Sequence, residues 1–131
     1  MEYLNVLAAA VAGFAMGALW YMTLAKPWMK AAGIQVSADG KPQVSGSPLP
    51  FVVAGIAMLL VAGMMRHVFQ MAQMDTVLEG LMGGFGIGLF FIVPWMAMNY
   101  AYAMRPTMLA VIDGGYAVLG CTVIGLVLVL F

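Results

Sequence analysis

Charge is what this sequence has least of. Charged residues make up 8% of it, against about 25% in an average soluble domain. A water-facing shell cannot be built around a core of that composition, so a soluble globular fold is excluded. Five Lys and Arg are balanced by five Asp and Glu, which leaves no basic surface to hold a polyanion and excludes nucleic acid as a partner. The single cysteine, Cys121, excludes an internal disulfide and a multi-cysteine zinc site, and between Gly120 and Thr122 it reads as a small packing residue. There is also one histidine, His67. No nucleophile stands beside a base, no carboxylates pair at matching depth, and the glycines from Gly80 to Gly88 lack the lysine of a phosphate-binding loop. The expectation is therefore no enzyme and no cofactor.

What the sequence has is apolar length: 65% of its 131 residues are hydrophobic. Four spanning helices of about 20 to 22 residues each would use roughly 80 to 90 of them, leaving too few for an aqueous domain. The composition predicts one transmembrane domain over residues 1–131, an all-α integral membrane four-helix bundle. Tyr3 to Ala25 carries no charge and can cross about 30 Å at 1.5 Å per residue. It lacks the basic start of a secretory signal and reads as a retained helix, about 3–25. A polar stretch punctuated by Gly33, Asp39, Gly40, Pro42, Gly46 and Pro48 reads as a loop over about 26–49, with one interfacial turn at Trp28 to Ala32. A second helix runs over about 50–72. Thr76 and Glu79 fit a capping box that opens a third, about 76–103, kinked at Pro94. Arg105-Pro106 makes a tight turn into a fourth, about 107–131.

Lys26, Lys30, Lys41 and Arg105 fall on one side of this topology and Arg66 on the other, so the long loop is expected to be cytoplasmic and both termini outside. Lipid gives helices no hydrophobic reason to associate, and close approach through small residues must supply it. Gly80, Gly84 and Gly88 form two overlapping GxxxG motifs; Ala9, Gly13 and Gly17 repeat the spacing on the first helix, and Ala110, Gly114, Ala117 and Cys121 line a narrow face of the fourth. Packing within one bundle and a homodimer interface at the Gly80 stripe are both compatible with that pattern.

Asn5, the run Gly17-Ala18-Leu19-Trp20-Tyr21 with Lys26 and Trp28, and the later Arg105-Pro106, Leu109 and Ile112-Asp113-Gly114-Gly115-Tyr116 resemble the small bacterial membrane proteins grouped as domain of unknown function 1761. The resemblance covers nearly the whole chain and implies a four-helix bacterial inner-membrane protein. It implies no activity. The methionine-rich second helix and the charge-poor loop depart from the family's usual pattern.

Depth arithmetic gathers distant polar residues. Asn99 lies about six residues before Arg105, Asp113 about six after Thr107, and Tyr21 about five before Lys26, which puts all three roughly 7 to 9 Å inside one interface. The faces agree if Gly13, Gly17 and Trp20 share a stripe on the first helix, Gly88, Trp95 and Asn99 on the third, and Asp113, Tyr116 and Ala117 on the fourth. The expected cluster is Asp113, Asn99, Arg105, Tyr21, Trp20 and Tyr116. An ionisable side chain at that depth costs on the order of 2.5 to 3.5 kcal/mol and is a site by default, with a partner to be named. One reading is structural, with Asp113 neutralised by Arg105 or Lys26. The other is a proton or cation site.

Methionine is in excess, 14 residues, and Met64, His67, Met71 and Met74 recur at helical spacing. Their thioethers and imidazole would suit Cu(I), while plain packing suits the same pattern. The favoured reading is a non-catalytic accessory, assembly or interaction component. Its partners would be the bilayer and a second copy or another membrane protein. The alternative is an oligomeric proton-coupled small-molecule or ion transporter using Asp113, and the weakest reading is a Cu(I)-binding membrane protein.

Overall fold

The structure, a computed structural model, describes residues 2–34 and 48–131. Most of the loop expected over about 26–49, with Asp39 and Lys41, lies outside the described residues. Among the described residues six α-helices carry the fold: α1 (Glu2–Thr23), α2 (Ala25–Ala32), α3 (Leu49–Met71), α4 (Val77–Ile87), α5 (Val93–Tyr102) and α6 (Thr107–Leu130), with a π-helical turn, Gly88–Ile92, joining α4 to α5. No strand occurs among the described residues. Tyr3–Thr23, Leu49–Met71, Val77–Tyr102 and Thr107–Leu130 are each long and apolar enough to cross a membrane. The protein is an all-α helical bundle.

Local chemistry sets the ends of these elements. At the start of α4 the Glu79 N–H donates to Thr76 Oγ1 at 3.3 Å and the Thr76 N–H donates to Glu79 Oε2 at 3.0 Å, the reciprocal capping read from the sequence. Three helices end alike. The Ile34, Met74 and Arg105 N–H groups reach back to the carbonyls of Met29, Phe69 and Tyr100, each across a left-handed residue: Gly33, Gln73 and Met104. Where a loop with one turn was expected, α2 forms a full helix from Ala25, burying Met29 and Ala31 and leaving Lys26 and Lys30 exposed. Pro27 falls in its first turn, where a missing N–H costs nothing.

The centre of the bundle is α6, which buries Leu109, Ile112, Gly114, Gly120, Cys121, Ile124, Gly125 and Leu128. Along one side it packs on α1, and along the other on α4, the π turn and α5; α3 lies against α1 and touches α6 and α4. Small residues permit the approach of α4. A Cβ on Gly80 would stand 2.6 Å from the Gly125 carbonyl oxygen, one on Gly88 would stand 2.6 Å from that of Ala117, and one on Gly84 would strike the Cys121 carbonyl. Gly80, Gly84 and Gly88 thus run antiparallel against Gly125, Cys121 and Ala117 within one chain. Gly114 faces elsewhere, toward Val93 on α5. Gly13 makes room for Ile124 and Met58, and Gly17 for the Tyr116 ring. The core beneath these seams joins Ala9 and Ala10 of α1, Ala62, Met65 and Phe69 of α3, and Cys121, Ile124 and Leu128 of α6.

The π turn corrects the expected register. Pro94 has no N–H for the Phe90 carbonyl, and its ring would crowd that oxygen in a regular α-helix. Instead the Val93 N–H bonds to the Gly88 carbonyl, five residues back. A π turn takes in one extra residue, so the face presented by α5 moves on by one position. The stripe counted as Gly88, Trp95 and Asn99 becomes Gly88, Ile92, Met96 and Tyr100. Trp95 and Asn99 are exposed on the outside of the helix.

Candidate functional site: a polar cleft between α3 and α5

Among the described residues α3 makes no packing contact with α5. The two helices enclose an open cleft of about 380 Å³ floored by α6, with Met58 and Val61 on the α3 wall and Ile92, Met96 and Tyr100 on the other. Apolar side chains form most of its lining, and its polar groups gather at the end near α2. There Asp113 is half-buried on α6 and each carboxylate oxygen accepts one phenol: the Tyr21 hydroxyl donates to Oδ1 at 2.5 Å and the Tyr100 hydroxyl to Oδ2 at 2.7 Å. The Tyr116 hydroxyl donates to the Gly13 carbonyl at 2.9 Å and lies 3.4 Å from Met58 Sδ.

Backbone geometry holds these groups in place. The Trp20 indole N–H donates to the Ile112 carbonyl at 2.8 Å, and its ring lies over Gly115, where a Cβ would stand 2.5 Å from it. That contact ties α1 to α6 beside Asp113. The Tyr21 ring meets Tyr116 edge-on with centroids 5.5 Å apart and Trp28 of α2 at 5.8 Å, contacts favoured by the ring quadrupoles. Trp28 thereby packs beside the Tyr21 end of the cluster. Arg105 donates to the Ala32 carbonyl at 2.8 Å, at the C-terminal end of α2, where a cation suits the helix dipole.

The expected cluster is thus partly assembled. Asp113, Tyr21, Trp20 and Tyr116 come together. Asn99 does not: it lines a shallower depression on the outer side of α5 with Phe91 and Trp95. Arg105 is exposed and turned to Ala32, and no cation among the described residues pairs with Asp113. Tyr100, absent from the expected set, takes the place given to Asn99. The signal that could have found it was Pro94 six positions after Gly88, close enough to the glycine seam for the kink to alter register rather than direction alone.

Of the methionine and histidine set, Met64, His67 and Met71 are exposed along α3, whereas Met74 lies beyond its end with its methyl group over Gly83. The four do not share one face. A second polar site, at the far end of the bundle, was not expected. Asn5 is fully buried, and its amide donates to the carbonyls of Leu128, at 3.0 Å, and of Phe131. Arg66 donates to the same Leu128 carbonyl at 3.2 Å. Together they pair two of the free carbonyls at the end of α6. A lone asparagine early in an apolar helix was the only sign of this in the sequence.

Compared with known proteins, the chain matches over residues 4–129 the family described as "Protein of unknown function (DUF1761)". No curated protein and no solved structure matches it.

Proposed function

Because the chain belongs to the DUF1761 family, whose description carries no activity, we propose its function from its own residues: it is a non-catalytic binding component of the bacterial inner membrane. Its working part is the cleft between α3 and α5, which holds a membrane-embedded target without transforming it. The observation that carries this reading is Asp113, a single carboxylate bracketed by two phenols at the wall of an apolar opening. Among the described residues neither a second acid, a base nor an activated nucleophile stands beside it, and the one cysteine lining the cleft, Cys121, is packed against α4. Acid–base or covalent catalysis needs such a partner; recognition does not.

The GxxxG seam of α4 supports this reading, because it is occupied by α6 and leaves the α3 and α5 walls free for the target. Lys26, Lys30 and Arg105 gather at the Asp113 end, and the positive-inside rule supports reading that end as cytoplasmic, with both termini outside. A cysteine replacing the exposed Gln73 would then react with an impermeant thiol reagent in intact cells, and shielding of that position would reverse the orientation.

Native mass spectrometry of protein extracted directly from membranes tests the binding role. Wild type should carry about one retained small molecule or partner per chain, and Val61→Trp, which fills the cleft, should lose it while keeping its thermal unfolding profile. Equal occupancy in both proteins, or none in either, would contradict the reading. A second reading is favoured by the want of a cation beside Asp113 among the described residues: a proton-coupled transporter that uses this carboxylate. It requires proton flux in proteoliposomes that Asp113→Asn abolishes; flux equal to that of empty vesicles would remove it.

A further inference from the structure

Resting on the binding role above, we propose that the occupant of the cleft is a lipophilic organic cation, an ammonium or guanidinium head on an apolar body, with the head seated at Asp113. Three observations meet in this assignment. The first is charge. Asp113 lies about two turns inside a spanning helix, and its two phenol donors satisfy its oxygens without neutralising it. A carboxylate in so poor a dielectric calls for a positive partner. Among the described residues no cation pairs with Asp113, because Arg105 is drawn off to the Ala32 carbonyl.

The second is the chemistry around that charge. A carboxylate offers about four lone-pair directions, of which the phenols take two, so oxygen acceptors remain for an N–H donor. The rings of Tyr21 and Tyr116 stand edge to face with their centroids 5.5 Å apart and line the same cleft as Asp113, and aromatic faces attract organic cations. An anion would be repelled, and a neutral alcohol would leave the charge uncompensated.

The third is access. At the Asp113 end Trp28 packs edge-on against Tyr21 and Arg105 is tied to Ala32 of α2, while along the lateral side α3 and α5 do not meet among the described residues. A ligand therefore enters from the bilayer. The cleft volume of about 380 Å³ lies in the range of small-molecule sites, roughly 300 to 1,000 Å³, and its Met58, Val61 and Met96 walls suit an alkyl or aryl body. An amine-headed phospholipid and a free lipophilic amine share this chemistry.

The test is a binding titration of purified protein in dodecyl maltoside micelles, free of added phospholipid, with dodecylammonium, dodecanol and dodecanoate. Wild type should bind the ammonium at least tenfold more tightly than the alcohol and show no saturable binding of the carboxylate. Asp113→Asn should bring ammonium and alcohol within about twofold of each other. Equal affinity for ammonium and alcohol in wild type overturns the cation assignment whether or not the variant folds; so does a preference for ammonium that survives in a folded Asp113→Asn. If both amphiphiles bind equally but are expelled by Val61→Trp, the cleft still binds and the cation assignment alone has failed. If neither binds saturably, the binding role fails with it. Added phosphatidylethanolamine separates the two sources: it competes severalfold with dodecylammonium if the headgroup of a lipid is the natural occupant, and leaves its affinity unchanged if a free amine is.

Discussion

Asp113 shows how far single residues could be read in advance and where reading stopped. Its depth, and that of Tyr21, followed from a rise of about 1.5 Å per residue, and the structure brings these two together with Trp20 and Tyr116 but leaves Asn99, counted at the same level, outside. Arg105 had the correct level and the wrong partner. Its place just past a left-handed Met104 points the side chain at the end of α2, where the Ala32 carbonyl accepts it. Sequence spacing carries no information about that competition. The two phenols make a measurable difference at this scale. Tyr100→Phe removes a hydrogen bond to a carboxylate and should cost about 1 to 2 kcal/mol in thermal unfolding, whereas Asn99→Ala, on the outer face, should stay within about 0.5 kcal/mol. A double-mutant cycle of Asp113→Asn with Arg105→Gln should show coupling below about 0.5 kcal/mol, since the two groups share no contact. Strong coupling in that cycle would restore the ion pair.

Among the elements, helix existence was legible and helix register was not. The apolar runs, the Thr76 capping box and the Arg105-Pro106 turn marked the spans to within a few residues, because lipid permits few alternatives to a helix whose backbone is satisfied internally. Two features escaped. The first is α2, whose eight residues carry a mixed pattern too short for periodicity to separate from a loop. The second is the π turn, which depends on how Pro94 is accommodated and not on the proline itself. A kink and a wide turn both answer a missing N–H, but only the wide turn moves Tyr100 inward. The seam between α4 and α6 makes the sharpest prediction for an element. At Gly84 any Cβ strikes the Cys121 carbonyl, and backbone cannot swing aside as a flexible side chain can. Gly84→Leu should therefore destabilise by 2 kcal/mol or more, about the upper part of the range for overpacking, seen as a drop in unfolding temperature in detergent. Gly55→Leu on α3, where the added group meets open space, should be nearly silent.

For the molecule as a whole the account rests on an asymmetry. One helix, α6, is enclosed by its neighbours, while α3 stays in touch with α1 and apart from α5. The sequence predicted a bundle but held nothing to show that it was open, since lipid-facing and cleft-facing residues are alike in composition. Spin labels placed one at a time at Val61 and Met96, in a Cys121→Ala background, measure that opening directly. The account predicts that both collide readily with oxygen dissolved in the bilayer and hardly at all with a water-soluble nickel complex, whereas a label at the fully buried Ala62 is shielded from both. Protection of Val61 and Met96 to the level of Ala62 would mean that the bundle is closed, and free collision with nickel would mean an aqueous channel; either result would contradict a site open to the bilayer.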